Sequence, residues 1–252
     1  KGLEAAFDNT SLRVEKVGCN GLCFAEPIVE VITDSGNSIL YGRLNKDSAV
    51  NFAEKIKKGE LPLENRLSED ELKFLNGQKR IVLSGCGKID PENIDSYIEN
   101  GGYKALEKAL EMGSDKIIEE IKISGLRGRG GAGFPTHFKW QAAKSAQSDE
   151  KYIVCNADEG DPGAFMDRAV LEGDPHRVLE GMMIAGIAIG AESGVIYVRA
   201  EYPLAVKRLK IAISQMHEKG YLGKNILGSS FNFDFHIMMG AGAFVCGEET
   251  AL

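Results

Sequence analysis

The sequence predicts an α/β fold with a mostly parallel sheet, on the basis of three observations. Strand-like and helical segments alternate in the second half of the chain, at 152–155, 175–189, 195–199, 203–219 and 233–239. Both helical segments have a start signal, because Asp174 precedes Pro175 at the first and Pro203 opens the second. The first strand runs directly into polar residues, and open α/β sheets bind ligands at the carboxyl ends of their strands.

The chain also divides into two predicted domains, 1–62 and 63–252. The first has a strand, turn, strand and helix pattern, at Leu12–Val17, Pro27–Thr33, Asp34–Asn37, Ser38–Leu44 and Asp47–Lys58. Gly59 ends the helix, and the Leu-Pro-Leu segment after it is a plausible linker. In the second domain, Asp95–Met112 is predicted to be helical with a break at its paired glycines.

Composition restricts the partners of this protein. A net charge of −7 over 252 residues argues against nucleic acid. The longest apolar stretch, 182–191, contains two glycines and is too short to span a bilayer, so direct membrane insertion is not expected. Five cysteines and no visible signal peptide indicate a reduced, cytoplasmic chain. The chain starts at Lys1 and stops in the first turn of a predicted helix, so we expect a fragment.

The most informative segment, 124–140, combines five glycines with two arginines, a lysine and three aromatic residues. Glycine lets backbone N–H groups approach a ligand closely, arginine neutralises phosphate, and aromatic rings stack on a flat ligand. The amphipathic stretch 115–123 precedes it, so it is not an ordinary Rossmann turn. A flexible linker is the alternative. The candidate cofactor-binding residues are Gly128, Arg129, Gly130, Gly131, Ala132, Gly133, Phe134 and Lys139.

Two further segments place polar residues after strand-like runs. The candidates that follow the strand at 152–155 are Asn156, Asp158, Glu159 and Asp161. Those that follow the last strand are Gly247, Glu248 and Glu249. The carboxyl ends of parallel strands meet at one edge of a sheet, so both sets are expected at the ligand site.

The strings Gly-Arg-Gly-Gly-Ala-Gly-Phe-Pro-Thr (128–136), Cys-Asn-Ala-Asp-Glu (155–159) and Cys-Gly-Glu-Glu-Thr-Ala-Leu (246–252) occur in this order. Together they resemble the NADH-binding flavoprotein subunit of respiratory complex I. They are also similar to the diaphorase subunits of NAD(P)-linked iron–iron hydrogenases and formate dehydrogenases. The resemblance implies a Rossmann-like FMN-binding domain, FMN and NAD(P)H as cofactors, and a [4Fe–4S] cluster whose ligands are expected beyond Leu252.

The resemblance also implies roles for single residues. Phe134 would stack on the adenine of the nicotinamide cofactor, and Lys139 would offer a charge to the flavin or its phosphate. Asn156 and Asp158 would lie at the flavin edge. The adjacent glutamates would face the nicotinamide side, with Glu249 binding ribose hydroxyls.

Three positions depart from the family pattern. Asp161 stands in place of a glutamate that contacts the dinucleotide, and its shorter side chain is relevant to cofactor preference. Phe244 replaces a usual tyrosine, and His137 replaces a common glycine. Other histidines have simpler interpretations: His176 is expected to be exposed on a helix, and His236 to be a core residue within a strand.

Cys19 and Cys23 place two thiols four residues apart in a glycine-containing turn. They are either a buried structural pair or half of an iron–sulfur site, since a [2Fe–2S] cluster needs four thiolates. The segment 17–27 resembles the second ligand pair of a thioredoxin-like [2Fe–2S] domain, so 1–62 is interpreted as part of such a domain with half of its ligands. Its position before the flavin domain favours a hydrogenase complex.

The functional hypothesis is a flavin-dependent NAD(P)H:acceptor oxidoreductase (diaphorase) subunit. It would pass electrons between a nicotinamide dinucleotide, FMN and iron–sulfur clusters, with other redox subunits of a hydrogenase or dehydrogenase complex as partners. One alternative is a non-catalytic nucleotide-binding or assembly subunit. Another is the equivalent subunit of complex I or of an NAD-linked formate dehydrogenase.

Overall fold

A computed structural model of the chain describes residues 7, 12–242, 246 and 247. The chain divides into two compact units, 1–88 and 89–252. Each unit is described separately below, because the candidate residues fall into one or the other.

The first unit contains an antiparallel hairpin and two helices. Its elements are β1 (Val29–Ile32), β2 (Ser38–Tyr41), α1 (Lys46–Lys57) and α2 (Glu69–Asn76). The hairpin pairs Val29 with Tyr41, and the ring of Tyr41 packs edge-on against Phe52 of α1 at 4.8 Å between centroids. Asn45 starts α1 by accepting hydrogen bonds from the backbone N–H groups of the first turn. The hairpin, its turn and α1 confirm the sequence pattern.

This unit continues past the predicted boundary at residue 62. Leu67 is buried with Leu22 and Ala25, and its N–H donates to the Leu40 carbonyl oxygen at 2.9 Å. Buried apolar contacts therefore hold the segment after residue 62 to the hairpin. The predicted strand at Leu12–Val17 is wrong, because this segment has no regular secondary structure.

The second unit is a parallel sheet with helices. Its elements are α3 (Ile94–Glu99), α4 (Lys104–Met112), α5 (Ser114–Ser124), α6 (Thr136–Ser145), β3 (Tyr152–Ala157), α7 (Met166–Gly173), α8 (Pro175–Ile189), β4 (Ser193–Arg199), α9 (Pro203–Glu218) and β5 (Asp234–Gly240). The described strands are parallel, in the order β3–β4–β5. The predicted α/β class is confirmed, and so is the helix, rather than a strand, before the glycine-rich segment.

One face of this sheet carries the core. Ile196 and Val198 of β4 and Phe235 of β5 are buried in a cluster with residues of α8 and α9. Side chains alternate between the two faces of a strand, so the intervening residues lie on the opposite face. Val154 and Met238 on that face are about half exposed, at 48% and 54%. His236 is exposed there too, so its prediction as a core residue is wrong.

A buried carboxylate joins three helices of the second unit. Glu180 of α8 is 6% exposed and accepts three hydrogen bonds. The donors are the Tyr97 hydroxyl at 2.5 Å, the Tyr103 N–H at 3.0 Å and the Leu106 N–H at 2.9 Å. The last two N–H groups open α4 and have no partner within that helix. Glu180 therefore fixes the start of α4 and links it to α3 and α8.

His176 lies in the same cluster and is 1% exposed, so the expectation of an exposed residue is wrong. A hydrogen bond of 2.7 Å joins its Nδ1 to the Tyr103 hydroxyl, and the rings of Tyr97 and His176 stack at 5.4 Å. Burial lowers the pKa of His176 from its ordinary value of 6.5 to about 4. The ring is therefore neutral in the folded protein near pH 7.

We expect this burial to make the second unit less stable in acid. Between pH 6.5 and 4 the unfolded chain protonates His176 and the folded chain does not. The free energy of unfolding should therefore fall with pH in this window, by up to about 1.4 kcal/mol per pH unit from this group. Urea unfolding at pH 7, 6 and 5 can be followed by the fluorescence of Trp140, the single tryptophan of the chain. His176→Gln should show a shallower dependence, and identical slopes would contradict the assignment.

The described residues include no helix long and apolar enough to cross a membrane. The segment 182–191, which the sequence singled out, lies in α8 and the turn after it. Most of its side chains are buried in the core of the second unit, which accounts for their apolar character.

Candidate functional site

The glycine-rich segment forms a closed turn between α5 and α6. The Gly128 N–H donates to the Phe134 carbonyl oxygen at 2.8 Å, and the Thr136 N–H to that of Leu126 at 3.0 Å. Inside the turn, Nε of Arg127 donates to the Gly133 carbonyl oxygen at 3.1 Å. These closing hydrogen bonds fix the path of the backbone and argue against a flexible linker.

The tip of this turn has no side chains over its backbone. Gly131 and Gly133 adopt left-handed φ angles of 112° and 61°, which disfavour any other residue. A Cβ added at Gly130, Gly131 or Gly133 would meet no other atom within 4 Å. Ala132 and Arg129 are exposed on the same tip. The turn thus leaves space in which backbone N–H groups can approach a phosphate or a ring.

Two aromatic rings and a lysine stand beside the turn. Phe134 and Phe138 are 48% and 58% exposed, and their ring centroids lie 6.4 Å apart. The Lys139 ammonium lies 5.9 Å from the Phe134 ring centre. Trp140, in the same helix, packs against the core. The core therefore holds the base of α6 while its first turn presents Phe134 and Lys139 to solvent.

A second group of candidates lies where β3 ends. The Asn156 side chain donates from Nδ2 to the Cys246 carbonyl oxygen at 3.0 Å, and its Oδ1 accepts from the Asp158 N–H at 3.2 Å. A Cβ on Gly240, the last residue of β5, would lie 3.4 Å from Oδ1 of Asp158. The missing side chain therefore lets Asp158 approach β5. Burial and the Asp158 carboxylate raise the pKa of the Cys246 thiol.

Glu159 is bound on both oxygens of its carboxylate. Oε1 accepts from the Tyr202 hydroxyl at 3.1 Å, and Oε2 accepts from the backbone N–H of Asp167. The Arg199 guanidinium donates to the Glu159 carbonyl oxygen. Burial and the nearby Glu159 raise the pKa of Asp167. Sequence reasoning missed Arg199 and Tyr202, although they follow β4 as Asn156 and Asp158 follow β3.

The remaining candidates are only partly described. Asp161 is exposed in a turn that its carbonyl oxygen closes by accepting from the Ala164 N–H at 3.1 Å. Gly247 is exposed next to Cys246. Glu248, Glu249 and Phe244 lie outside the described residues. The candidates thus fall into two described groups, the glycine turn with the start of α6 and the carboxyl edge of the sheet.

The first unit holds a separate candidate site at Cys19 and Cys23. Both cysteines are exposed, so a buried structural pair is excluded, and their sulfur atoms lie 3.6 Å apart. The Gly21 N–H donates to Sγ of Cys19 at 3.3 Å. Burial of the thiol and a hydrogen bond with the Glu26 side chain raise the pKa of Cys19 to about 12. Two adjacent thiols in a turn suit half of the ligand set of a [2Fe–2S] cluster.

Comparison with known families agrees with this geometry. Residues 121–252, slightly more than half of the chain, match the family described as Complex1_51K, the Nuo51 FMN-binding domain. The chain belongs to this FMN-binding family. The match begins inside α5 and includes the glycine turn, β3 and the carboxyl edge of the sheet.

Several curated relatives share this region. The chain is 62% identical over 175 residues to HndC of Solidesulfovibrio fructosivorans, a subunit of NADP-reducing hydrogenase, covering 69% of this chain and 36% of that protein. It is 53% identical over 173 residues to the F 2 subunit of NADH-quinone oxidoreductase from Rhizobium meliloti, covering 68% and 41%. With the F subunit of the Aquifex aeolicus enzyme of the same name, the identity is 52% over 172 residues, covering 68% and 40%.

A solved structure supports the fold. A chain of NAD+-reducing [NiFe]-hydrogenase in the air-oxidized state superposes with a TM-score of 0.52 and 28% identity, covering 98% of this chain and 40% of that chain. The chain therefore spans about two fifths of the length of the proteins it matches. The FMN-binding fold is established, and the activity, substrates and partners are treated as proposals.

Proposed function

We propose that this chain is the flavin- and dinucleotide-binding part of an NAD(P)H:acceptor oxidoreductase (diaphorase) subunit. The observation that carries the proposal is the coincidence of the FMN-binding family match with an open glycine turn and a polar carboxyl edge in one compact unit. The names of the relatives, a hydrogenase subunit and quinone oxidoreductase subunits, support the same reaction class.

Each described group suits one part of the flavin. Bound FMN supplies the conversion between a two-electron hydride and single electrons. The backbone at Gly130 and Gly131 leaves room for close approach by the ligand, and Lys139 offers a positive charge beside it. Asn156 and Asp158 present polar atoms at the sheet edge, where ligands of α/β folds bind.

The nicotinamide cofactor would bind against the aromatic side of the turn. Phe134 has an exposed ring, suitable for stacking on adenine. Asp161 and the glutamate pair after Gly247 offer acceptors for hydroxyl groups. Whether the chain prefers NADH or NADPH depends on these acceptors, because a carboxylate near the ribose favours a 2′-hydroxyl over a 2′-phosphate.

The test uses Glu249→Gln in the FMN-loaded chain. Losing a charged acceptor typically costs about 1.5–3 kcal/mol. The dissociation constant of the reduced dinucleotide should therefore rise by roughly one to two orders of magnitude, with flavin content unchanged. Titration of each cofactor by fluorescence measures both. Glu192→Gln, an exposed carboxylate before the amino end of β4, is the matched control.

Three outcomes of this test differ in meaning. A variant that loses flavin but keeps its dinucleotide affinity would reverse the assignment of Glu249. A parent chain that remains colourless after incubation with FMN, yet binds the dinucleotide, would favour the non-catalytic nucleotide-binding or assembly subunit. A parent that binds neither would overturn the proposed function.

We further propose that Cys19 and Cys23 supply half of the ligands of a [2Fe–2S] cluster. Their 3.6 Å separation and exposure support this, and the remaining thiolates would come from other polypeptide. Such a unit ahead of the flavin domain favours a hydrogenase complex, and the relative with 62% identity is a hydrogenase subunit. Partner redox subunits and the proposed [4Fe–4S] cluster would carry electrons onward.

Changing both cysteines to serine should remove this cluster without affecting the flavin. Iron and acid-labile sulfide should fall, and the paramagnetic signal of the reduced cluster should disappear, because serine oxygen is a poor ligand for iron–sulfur clusters. Flavin binding should survive, since the flavin candidates belong to the other compact unit. Equal iron and sulfide in the parent and the double variant, both reconstituted with the natural partner subunits, would contradict the ligand assignment.

A further inference from the structure

We propose that Tyr202 is a positioning residue for the dinucleotide, acting through Glu159 on the β3–α7 loop, residues 158–165. This inference rests on the proposed function and adds a residue that does not itself touch either cofactor. Tyr202 follows β4 and stands before α9, while the loop follows β3, so the contact joins two neighbouring connections at the carboxyl edge.

The carboxylate of Glu159 closes the β3–α7 loop at its base. Its Oε2 accepts from the N–H of Asp167, in the first turn of α7, and therefore ties the beginning of the loop to its end. A carboxylate at a helix N-terminus is also favoured by the helix dipole. The second oxygen, Oε1, remains for the Tyr202 hydroxyl at 3.1 Å. Tyr202 thus sets the direction in which Glu159 holds the loop.

Tyr202 is itself held firmly. It is 8% exposed, and its N–H donates to the Arg199 carbonyl oxygen at 3.2 Å. The guanidinium groups of Arg199 and Arg168 lie 5.3 and 5.8 Å from its ring centre, within the range of cation–π attraction. The Arg199 guanidinium also donates to the Glu159 carbonyl oxygen. The hydroxyl is therefore a fixed point rather than a mobile surface group.

The residues that depend on this fixed point are the exposed ones of the loop. Asp161 and Phe165 lie between the two tied ends, and Phe165 is 57% exposed. Asn156 and the glycine turn are held by other hydrogen bonds, to Cys246 and within the turn itself. Loss of the Tyr202 hydroxyl should therefore loosen the dinucleotide contacts of the loop and leave the flavin contacts in place.

The test compares Tyr202→Phe with Tyr152→Phe. Tyr152 also donates its hydroxyl to a glutamate, Glu150, but at the amino end of β3. In the FMN-loaded chain, Tyr202→Phe should raise the dissociation constant of the reduced dinucleotide by about tenfold, the effect of one hydrogen bond to a charged group. The FMN dissociation constant and the melting temperature should match those of Tyr152→Phe.

A second measurement does not need either cofactor. In the ligand-free chain, backbone hydrogen exchange of residues 160–166 should become faster in Tyr202→Phe, while exchange in the glycine turn stays unchanged. Unchanged exchange in the loop, or an unchanged dinucleotide constant, would overturn the proposal. Equal losses of both cofactors together with a lower melting temperature would make Tyr202 purely structural and would also overturn it. A parent chain that binds no cofactor would refute the proposed function but not the exchange result.

Discussion

Replacing Glu180 with alanine is expected to lower the free energy of unfolding of the second unit by about 3–5 kcal/mol. The change leaves the Tyr97 hydroxyl and the N–H groups of Tyr103 and Leu106 without their acceptor. These groups are buried, so water cannot replace the carboxylate without opening the core. The side chain also fills space between α3, α4 and α8, and its removal adds the cost of a cavity.

Urea unfolding followed by Trp140 fluorescence measures this loss. Glu119→Ala is the matched control, because Glu119 is 55% exposed on α5 and pairs only with Lys122, one turn away. Exposed pairs of this kind contribute under about 1 kcal/mol. Glu180→Gln should fall between the two, since the amide keeps the volume and one acceptor. A loss in Glu180→Ala no larger than that of the control would contradict the role of this carboxylate.

Gly130→Val is expected to weaken FMN binding by about a hundredfold, or roughly 2.7 kcal/mol, while leaving the fold intact. Gly130 does not have a left-handed φ, and a Cβ there meets no atom within 4 Å in the ligand-free structure. The substitution is therefore compatible with the turn. A branched side chain would instead occupy the space through which the backbone approaches the flavin.

Gly181→Val provides the control, since a Cβ at Gly181 on α8 also meets open space. Flavin fluorescence titration gives the FMN dissociation constant, and circular dichroism gives the melting temperature. Both variants should melt within a few degrees of the parent, and only Gly130→Val should lose flavin. If Gly130→Val binds FMN as tightly as the parent, the flavin does not lie over this part of the turn.

The sequence alone determined the architecture of the second unit and the residue types of its site. The Asp174–Pro175 and Pro203 signals and the alternating apolar runs identified α8, α9 and the three described parallel strands. The glycine-rich string identified the turn, because glycine density and aromatic flanks are local properties. The first unit was harder to read: Leu12–Val17 has apolar alternation but no strand partner in the structure, and alternation alone does not form a sheet.

What the tertiary structure decided are the partners of polar residues. Tyr202 lies 43 residues from Glu159 along the chain, and Tyr97 lies 83 residues from Glu180. No periodicity connects such pairs, because helix and strand patterns report only which face a residue occupies. His176 shows the same point: its helical position was predictable, and its burial depended on packing against Tyr97 and Tyr103. Burial and hydrogen-bond partners are set by contacts between elements, which only the folded chain brings together.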